Sequence, residues 1–274
     1  MTKTIAITGS AGFIGSLLSD ALKAKGYKVI GIDRAFPSSQ HTKDTNANFN
    51  IEKEKYVDIV CDLSDPKACD GILNGCDVVI HLAGDGNPKA EFITSLVPNN
   101  IVSVYNICME AQKSNVKRMI FGSSNHTQVY GFEQGNATKE HFAGTFQLPA
   151  SGKINMENSK NCPTSLYGAC KIAGEEIGHF FSLREDAFEF LSLRIGWVIY
   201  DSPNVYKDTA LNDYLQSMYL SKNDCIGYFL AAIETTNLNK ENPFYVGYAV
   251  SNNKTRLYDI GPTCKFLNFE PSDV

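Results

Sequence analysis

The chain has 274 residues, 43% of them hydrophobic and 20% charged, with a formal net charge of -5. That is the balance of an ordinary globular protein with room for one large α/β domain or two small ones, and not of a general nucleic-acid binder, which needs clustered Lys and Arg. No apolar run approaches the roughly 18 residues of a membrane span, and the opening "MTKTIAITGSAGF" lacks the basic start and apolar core of a secretory leader. The expectations are therefore no nucleic acid, no membrane and a cytoplasmic location.

In chain order, "KTIAIT" (3–8), "KVIGID" (28–33), "YVDIVC" (56–61), "DVVIHLA" (77–83), "RMIFGS" (118–123) and "FEFLSLRI" (188–195) read as strands. Their nearly continuous apolar character suits a parallel sheet covered on both faces. Between them, "GSLLSDALKAKG" and "NNIVSVYNICMEAQKSN" place apolar residues at three-to-four spacing, the helical period. This alternation predicts an α/β fold: a doubly wound Rossmann sheet forming a single domain over 1–274, with a small C-terminal substrate cap. Cap elements are expected in roughly 131–163 and 197–274, the first being a long polar loop. The eight cysteines are scattered without a C-x-x-C pair, so neither a metal site nor a disulfide framework is expected.

The segment "TIAITGSAGFIGSLLSDAL" sets Gly9, Gly12 and Gly15 between the first strand and the first helix. A tight turn, close approach of a pyrophosphate and close helix–strand packing each require a glycine at these points. An anion then sits at the helix N-terminus, beside Phe13 and Ile14, where unpaired N–H groups and the helix dipole favour negative charge. Asp33 closes the second strand about twenty residues on, where a carboxylate accepts the adenosine ribose hydroxyls and repels a 2′-phosphate. NAD is thus expected over NADP, although Arg34 beside it has the charge to hold the extra phosphate. Asp62 and Leu63 in "CDLSD" face the adenine edge, and Leu82, Ala83 and Gly84 in "HLAG" leave room for the dinucleotide. His81 reads as a packed strand residue.

At 167–171 the chain reads "YGACK", so Tyr167 and Lys171 share one face of a helix. A nearby ammonium and a positive nicotinamide ring would both draw a phenol toward the working pH range, making Tyr167 a general base. The strand ending "GSSNHT" supplies Ser124 at the same carboxyl edge of the sheet.

Taken together, "TGSAGFIG", Asp33, "DL", "HLAG", "GSS" and "YGACK" resemble the extended short-chain dehydrogenase/reductase superfamily, also called the NAD-dependent epimerase/dehydratase superfamily. Within it, "SSNHT", "SLYGACKIAGEE", "LRIG" and "YLSKNDC" are most similar to the uronate dehydrogenases. The resemblance implies a catalytic set of Ser124, Tyr167 and Lys171, adds Asn100, Ser123, Tyr167 and Lys171 to the cofactor contacts, and turns Ser124, Asn125, His126, Tyr167 and Tyr214 toward a small sugar or sugar acid. The implied reaction is NAD-dependent oxidation of a hemiacetal to a lactone. The alternatives are an epimerase that retains its NAD and, in another class, a non-catalytic NAD-binding sensor or scaffold. The resemblance also implies that helices at 99–115 and 167–181 pair between subunits in a homo-oligomer.

Departures from that pattern lie on the substrate side. Where the uronate dehydrogenases carry an arginine that grips the substrate carboxylate, this chain aligns Tyr214, with Lys207 on the residues before it. Trp197 and Gly86 stand where the family has serines. The resemblance therefore leaves room for a neutral sugar or another small alcohol.

Overall fold

Alternate residues of the first strand serve opposite faces of the sheet. In β1 (Thr4–Thr8), Ile5 and Ile7 pack into one hydrophobic core while Ala6 packs into another. In β4 (Val78–His81), Val78 and Ile80 join the first core and Val79 the second. Each fully buried Ile or Phe of this kind contributes roughly 1.5–3 kcal/mol. The computed structural model describes residues 2–34, 53–128, 161, 163, 165–198, 216–254 and 256–273. The loop 131–163, apart from Asn161 and Pro163, lies outside them, as do Lys207 and Tyr214.

The remaining main-sheet strands are β2 (Lys28–Asp33), β3 (Ile59–Val60), β5 (Arg118–Ser124), β6 (Glu189–Ile195) and, after a two-stranded ribbon of β7 (Trp197–Val198) and β8 (Tyr219–Leu220), β9 (Phe244–Ala249). All pairings in the main sheet are parallel, in the order β3-β2-β1-β4-β5-β6-β9. The order reverses between β1 and β4, and this switch point opens a crevice beyond the carboxyl ends of the strands. The strand expected at 56–61 shrinks to its last turn-free pair, because Tyr56 closes a 3-10 turn and its hydroxyl donates to Asp20 at 2.7 Å.

Helices α1 (Phe13–Ala24) and α4 (Lys222–Glu234) cover one face, and α2 (Ser103–Lys113) and α3 (Leu166–Ser182) the other; α5 (Gly261–Leu267) packs beside β9. Arg118 fastens α4 to the sheet: its guanidinium donates to the carbonyls of Ala232 (2.9 Å) and Ile233 (3.0 Å) at the helix C-terminus and pairs with Glu189. Glycines set the depth of α3. A Cβ at Gly174 or Gly178 would meet the Phe121 ring at 2.7 Å or the Phe190 ring at 2.1 Å, so only a bare backbone lets this helix lie flat on β5 and β6. The outer faces of α2 and α3, expected to pair between subunits, expose Tyr105, Met109 and Phe180.

Part of the segment expected to supply cap elements builds the body instead. Residues 244–249 extend the sheet beyond β6, and 222–234 cover its face, because both are apolar enough to be buried there. These two elements of 197–274 are therefore body rather than cap.

Candidate active site

The turn after β1 is shaped by backbone crowding. Gly9 has φ 72°, and a Cβ on it would lie 2.7 Å from the Ala83 nitrogen; one on Gly15 would lie 2.1 Å from the Gly9 carbonyl. Gly12 differs, being exposed with only Gly9 O near such a Cβ, at 3.1 Å. The backbone is thus open where an anion would approach. Gly12 is the N-cap of α1, no side chain caps the first turn over Phe13, Ile14 and Gly15, and no acidic residue occupies it. An uncapped helix start behind an open backbone fits a pyrophosphate.

Asp33 faces this turn from the end of β2. Its Oδ2 accepts the Ala11 N–H at 3.0 Å and its Oδ1 accepts the Arg34 N–H at 2.8 Å, which fixes the carboxylate at the crevice mouth. Arg34 reaches across to donate to Asn99 Oδ1 at 3.2 Å. Asp62 accepts from the Ser64 N–H (3.0 Å) and hydroxyl (2.8 Å), bonds that hold its carboxyl below the usual range. Leu63 sits in the second core at 6% exposure, so its side chain supports this corner from within. Leu82 and Ala83 are half-buried and Gly84 is exposed, leaving this strand end open to the crevice. Asp33→Asn keeps the bond to Ala11 but removes the charge; we expect NAD affinity to fall about tenfold and the preference against NADP to disappear, read by titrating both cofactors.

Three further residues expected at the cofactor or substrate are engaged with the protein. Asn100, 1% exposed, accepts the Asp85 N–H (2.6 Å) and donates to the Asp85 carbonyl (2.9 Å), so it shapes the loop after β4. The Ser123 hydroxyl donates to Glu175 at 2.6 Å, on the opposite sheet face from Ser124. Asn125 is 5% exposed; its carbonyl accepts from Tyr258 and its amide nitrogen lies against Met218 sulfur. The Asn125 amide oxygen in turn accepts from the Ser124 hydroxyl at 3.4 Å.

The reactive cluster forms where β5 ends against the start of α3. Ser165 caps the helix, accepting the Gly168 N–H at 3.3 Å. A Cβ on Gly168 would come within 2.3 Å of the His126 carbonyl, so the missing side chain lets the helix start press onto the end of β5. Tyr167 is thereby brought near Ser124, and the His126 ring stands edge-on to its phenol at 5.7 Å. Lys171, one turn on and 6% exposed, donates to the Gly122 carbonyl at 2.8 Å with its ammonium 5.7 Å from the Tyr167 ring centre.

Burial dominates the electrostatics. It pushes the Tyr167 phenol up to about 12; the Ser124 bond works the other way and the charge of Asp85 adds to the rise. The downward draw expected from the sequence is thus not seen in the chain by itself, where desolvation is the largest cause. Burial likewise brings Lys171 down to about 8, opposed by the charge of Glu175. His126 is lowered by burial as well, which keeps its ring neutral at pH 7. His81 is wholly buried, bonded through Nδ1 to the Thr8 hydroxyl at 2.7 Å, and pushed down to about 3, in keeping with a packed strand residue.

Sequence reading missed Asp85, Glu175 and Gly168. "GDGNP" looks like an ordinary turn and "GEE" like a solvated helix face. Yet Asp85 carries the charge felt by Tyr167, and Glu175 is 2% exposed, holding Arg194 at 2.6 Å. Among the described residues no cluster of His, Cys, Asp or Glu is fit to hold a metal ion.

Known proteins place this site in context. The L-arabinose 1-dehydrogenase (NAD(P)(+)) of Haloferax volcanii is 28% identical over 98% of this chain and 96% of its own. The uronate dehydrogenase of Pseudomonas syringae pv. tomato is 27% identical over 97% of this chain and 81% of its own. A solved structure described as a mutated uronate dehydrogenase superposes with a TM-score of 0.73 at 24% identity, covering 100% of this chain and 82% of that one. The model of the NAD dependent epimerase/dehydratase family matches residues 5–199, from β1 through the reactive cluster and into the β7 region. With so much of the chain matched, the protein belongs to the NAD dependent epimerase/dehydratase family and is an enzyme whose cofactor is NAD.

Proposed function

We propose that the protein oxidises a small sugar or sugar acid, taking a hemiacetal to a lactone, with Tyr167 as the base. The observation that carries this reading is the packing of the α3 start onto the end of β5, which sets Tyr167 near Ser124 with the Lys171 ammonium 5.7 Å from its ring centre, at the carboxyl edge of the sheet. The printed activities of the arabinose and uronate relatives support the same class of substrate.

Gly9, Gly12, Gly15 and the first turn of α1 would hold the pyrophosphate, and Asp33 the adenosine ribose. Bound NAD supplies the hydride acceptor and a positive charge on its ring. Ser124 holds the reacting hydroxyl through Oγ, and Tyr167 takes its proton. Lys171 offsets the phenolate charge until that proton arrives and neutralises it. Burial sets the phenol high, so the positive ring of bound NAD would help Tyr167 act as a base. His126 flanks the phenol as a neutral hydrogen-bonding group for the sugar.

The test follows NADH absorbance with a panel of aldoses, uronates and polyols. At least one aldose or uronate should give net NADH with apoprotein and added NAD. Net isomerisation without NADH, or NAD that stays with the protein through purification, would overturn the dehydrogenase reading.

A further inference from the structure

The chain turns sharply after β5, and the turn is built around Ser124. Its Oγ accepts the His126 N–H at 3.2 Å, its carbonyl accepts from the Thr127 hydroxyl at 2.8 Å, and its own hydroxyl donates to Asn125 Oδ1 at 3.4 Å. The last of these is long for a bond between oxygens, so the hydroxyl gives it up to a sugar oxygen at little cost. The bond from His126 is the one that holds Oγ in place.

That N–H belongs to the peptide joining Asn125 to His126, and the other end of the same peptide is the Asn125 carbonyl. Two donors meet this carbonyl: the Gln128 N–H at 3.0 Å, which closes the turn, and the Tyr258 hydroxyl at 3.3 Å. A donor at the carbonyl oxygen fixes the plane of the peptide and polarises its N–H, so Tyr258 bears on Ser124 through one rigid unit.

Tyr258 is itself firmly held. It is fully buried, its ring stacks on Tyr248 at 4.4 Å, and the neighbouring Leu257 N–H donates to the Ser217 carbonyl at 3.0 Å. Tyr248 lies in β9 opposite Arg194 of β6, whose guanidinium pairs with Glu175 on α3. The helix that carries Tyr167 and Lys171 and the turn that carries Ser124 are thereby braced by one line of buried side chains. A phenylalanine at 258 would keep the stack without burying a hydroxyl, which is costly unless that hydroxyl is bonded.

We propose that Tyr258 is a positioning residue for catalysis: its hydroxyl holds the peptide between Asn125 and His126 in the orientation that aims Ser124 Oγ at the reacting sugar hydroxyl. The inference rests on the proposed site and deepens it, giving part of its assembly to a residue beyond the 5–199 matched by the family.

The experiment uses Tyr258→Phe in the full NAD-loaded chain, with a sugar that yields NADH. Rates are scaled to the fraction of protein that binds NAD, so that lost folded protein is not read as lost rate. The scaled kcat should fall about fivefold to tenfold, while KM for the sugar and NAD affinity each change less than about threefold. In a Ser124→Ala background, whose residual rate is read at raised enzyme concentration, the same change should cost less than about twofold, because the group it acts through is gone. Amide hydrogen exchange needs no turnover. It should quicken several-fold at His126 in Tyr258→Phe and stay unchanged at residues 119–122 of β5. A scaled kcat within about twofold of the parent, an equal cost with and without Ser124, or unchanged exchange at His126 overturns the inference. Failure of every sugar to yield NADH sinks the dehydrogenase reading instead, and exchange at His126 then decides alone whether Tyr258 holds the turn.

Discussion

Tyr167→Phe should abolish NADH formation while leaving NAD binding nearly intact. A positioned general base contributes typically 10²- to 10⁴-fold, so kcat should fall at least that far. The phenylalanine ring fills the same space between His126 and the Lys171 ammonium, and the loss is confined to one hydroxyl. Cofactor titration should change by less than about threefold, because the glycine turn and Asp33 are strands away. Turnover within about tenfold of the parent protein would remove Tyr167 from the chemistry and, with it, the proposed mechanism.

Glu175→Ala should be the most destabilising of the single changes considered. Glu175 and Arg194 form an ion pair with side chains 3% and 2% exposed. The carboxylate also accepts from Ser123 (2.6 Å) and Ser192 (3.2 Å), while the guanidinium reaches Asn161 at 2.8 Å. Removing one partner leaves a buried charge and two hydroxyls unanswered, at a cost of about 3–5 kcal/mol. A midpoint shift in urea measures it. The double change Glu175→Leu with Arg194→Met removes both charges, and should recover most of that loss. If the single variant unfolds at the parent midpoint, the pair carries no structural weight.

What the sequence revealed was local. The glycine spacing before α1, the carboxylate ending β2 and the four-residue interval between Tyr167 and Lys171 all lie within single elements, where short-range geometry decides the outcome. Non-local partnerships stayed hidden. Glu175 and Glu176 are indistinguishable in "GEE", yet one is buried against β6 and the other has a 68% exposed side chain. Only the register of α3 against β5 and β6 separates them. Asn100 looked like a cofactor contact because its position along the chain is right, but its amide fits the Asp85 peptide. "FYVGYA" falls in the span expected to supply cap elements; that it completes the sheet beside β6 depends on a pairing across about fifty residues of chain, which no local pattern encodes.

That last strand also bears on where the protein can be cut. The family match stops at residue 199, but β6, with Arg194 and the floor beneath Ser123, is hydrogen-bonded to β9 along its length from Phe190 to Ile195. A fragment ending at the match boundary would leave a long apolar edge exposed and ready to recruit another chain. The portable unit for grafting or directed evolution of this catalyst is therefore the body closed by residues 244–249, whatever segment is exchanged between β7 and β8.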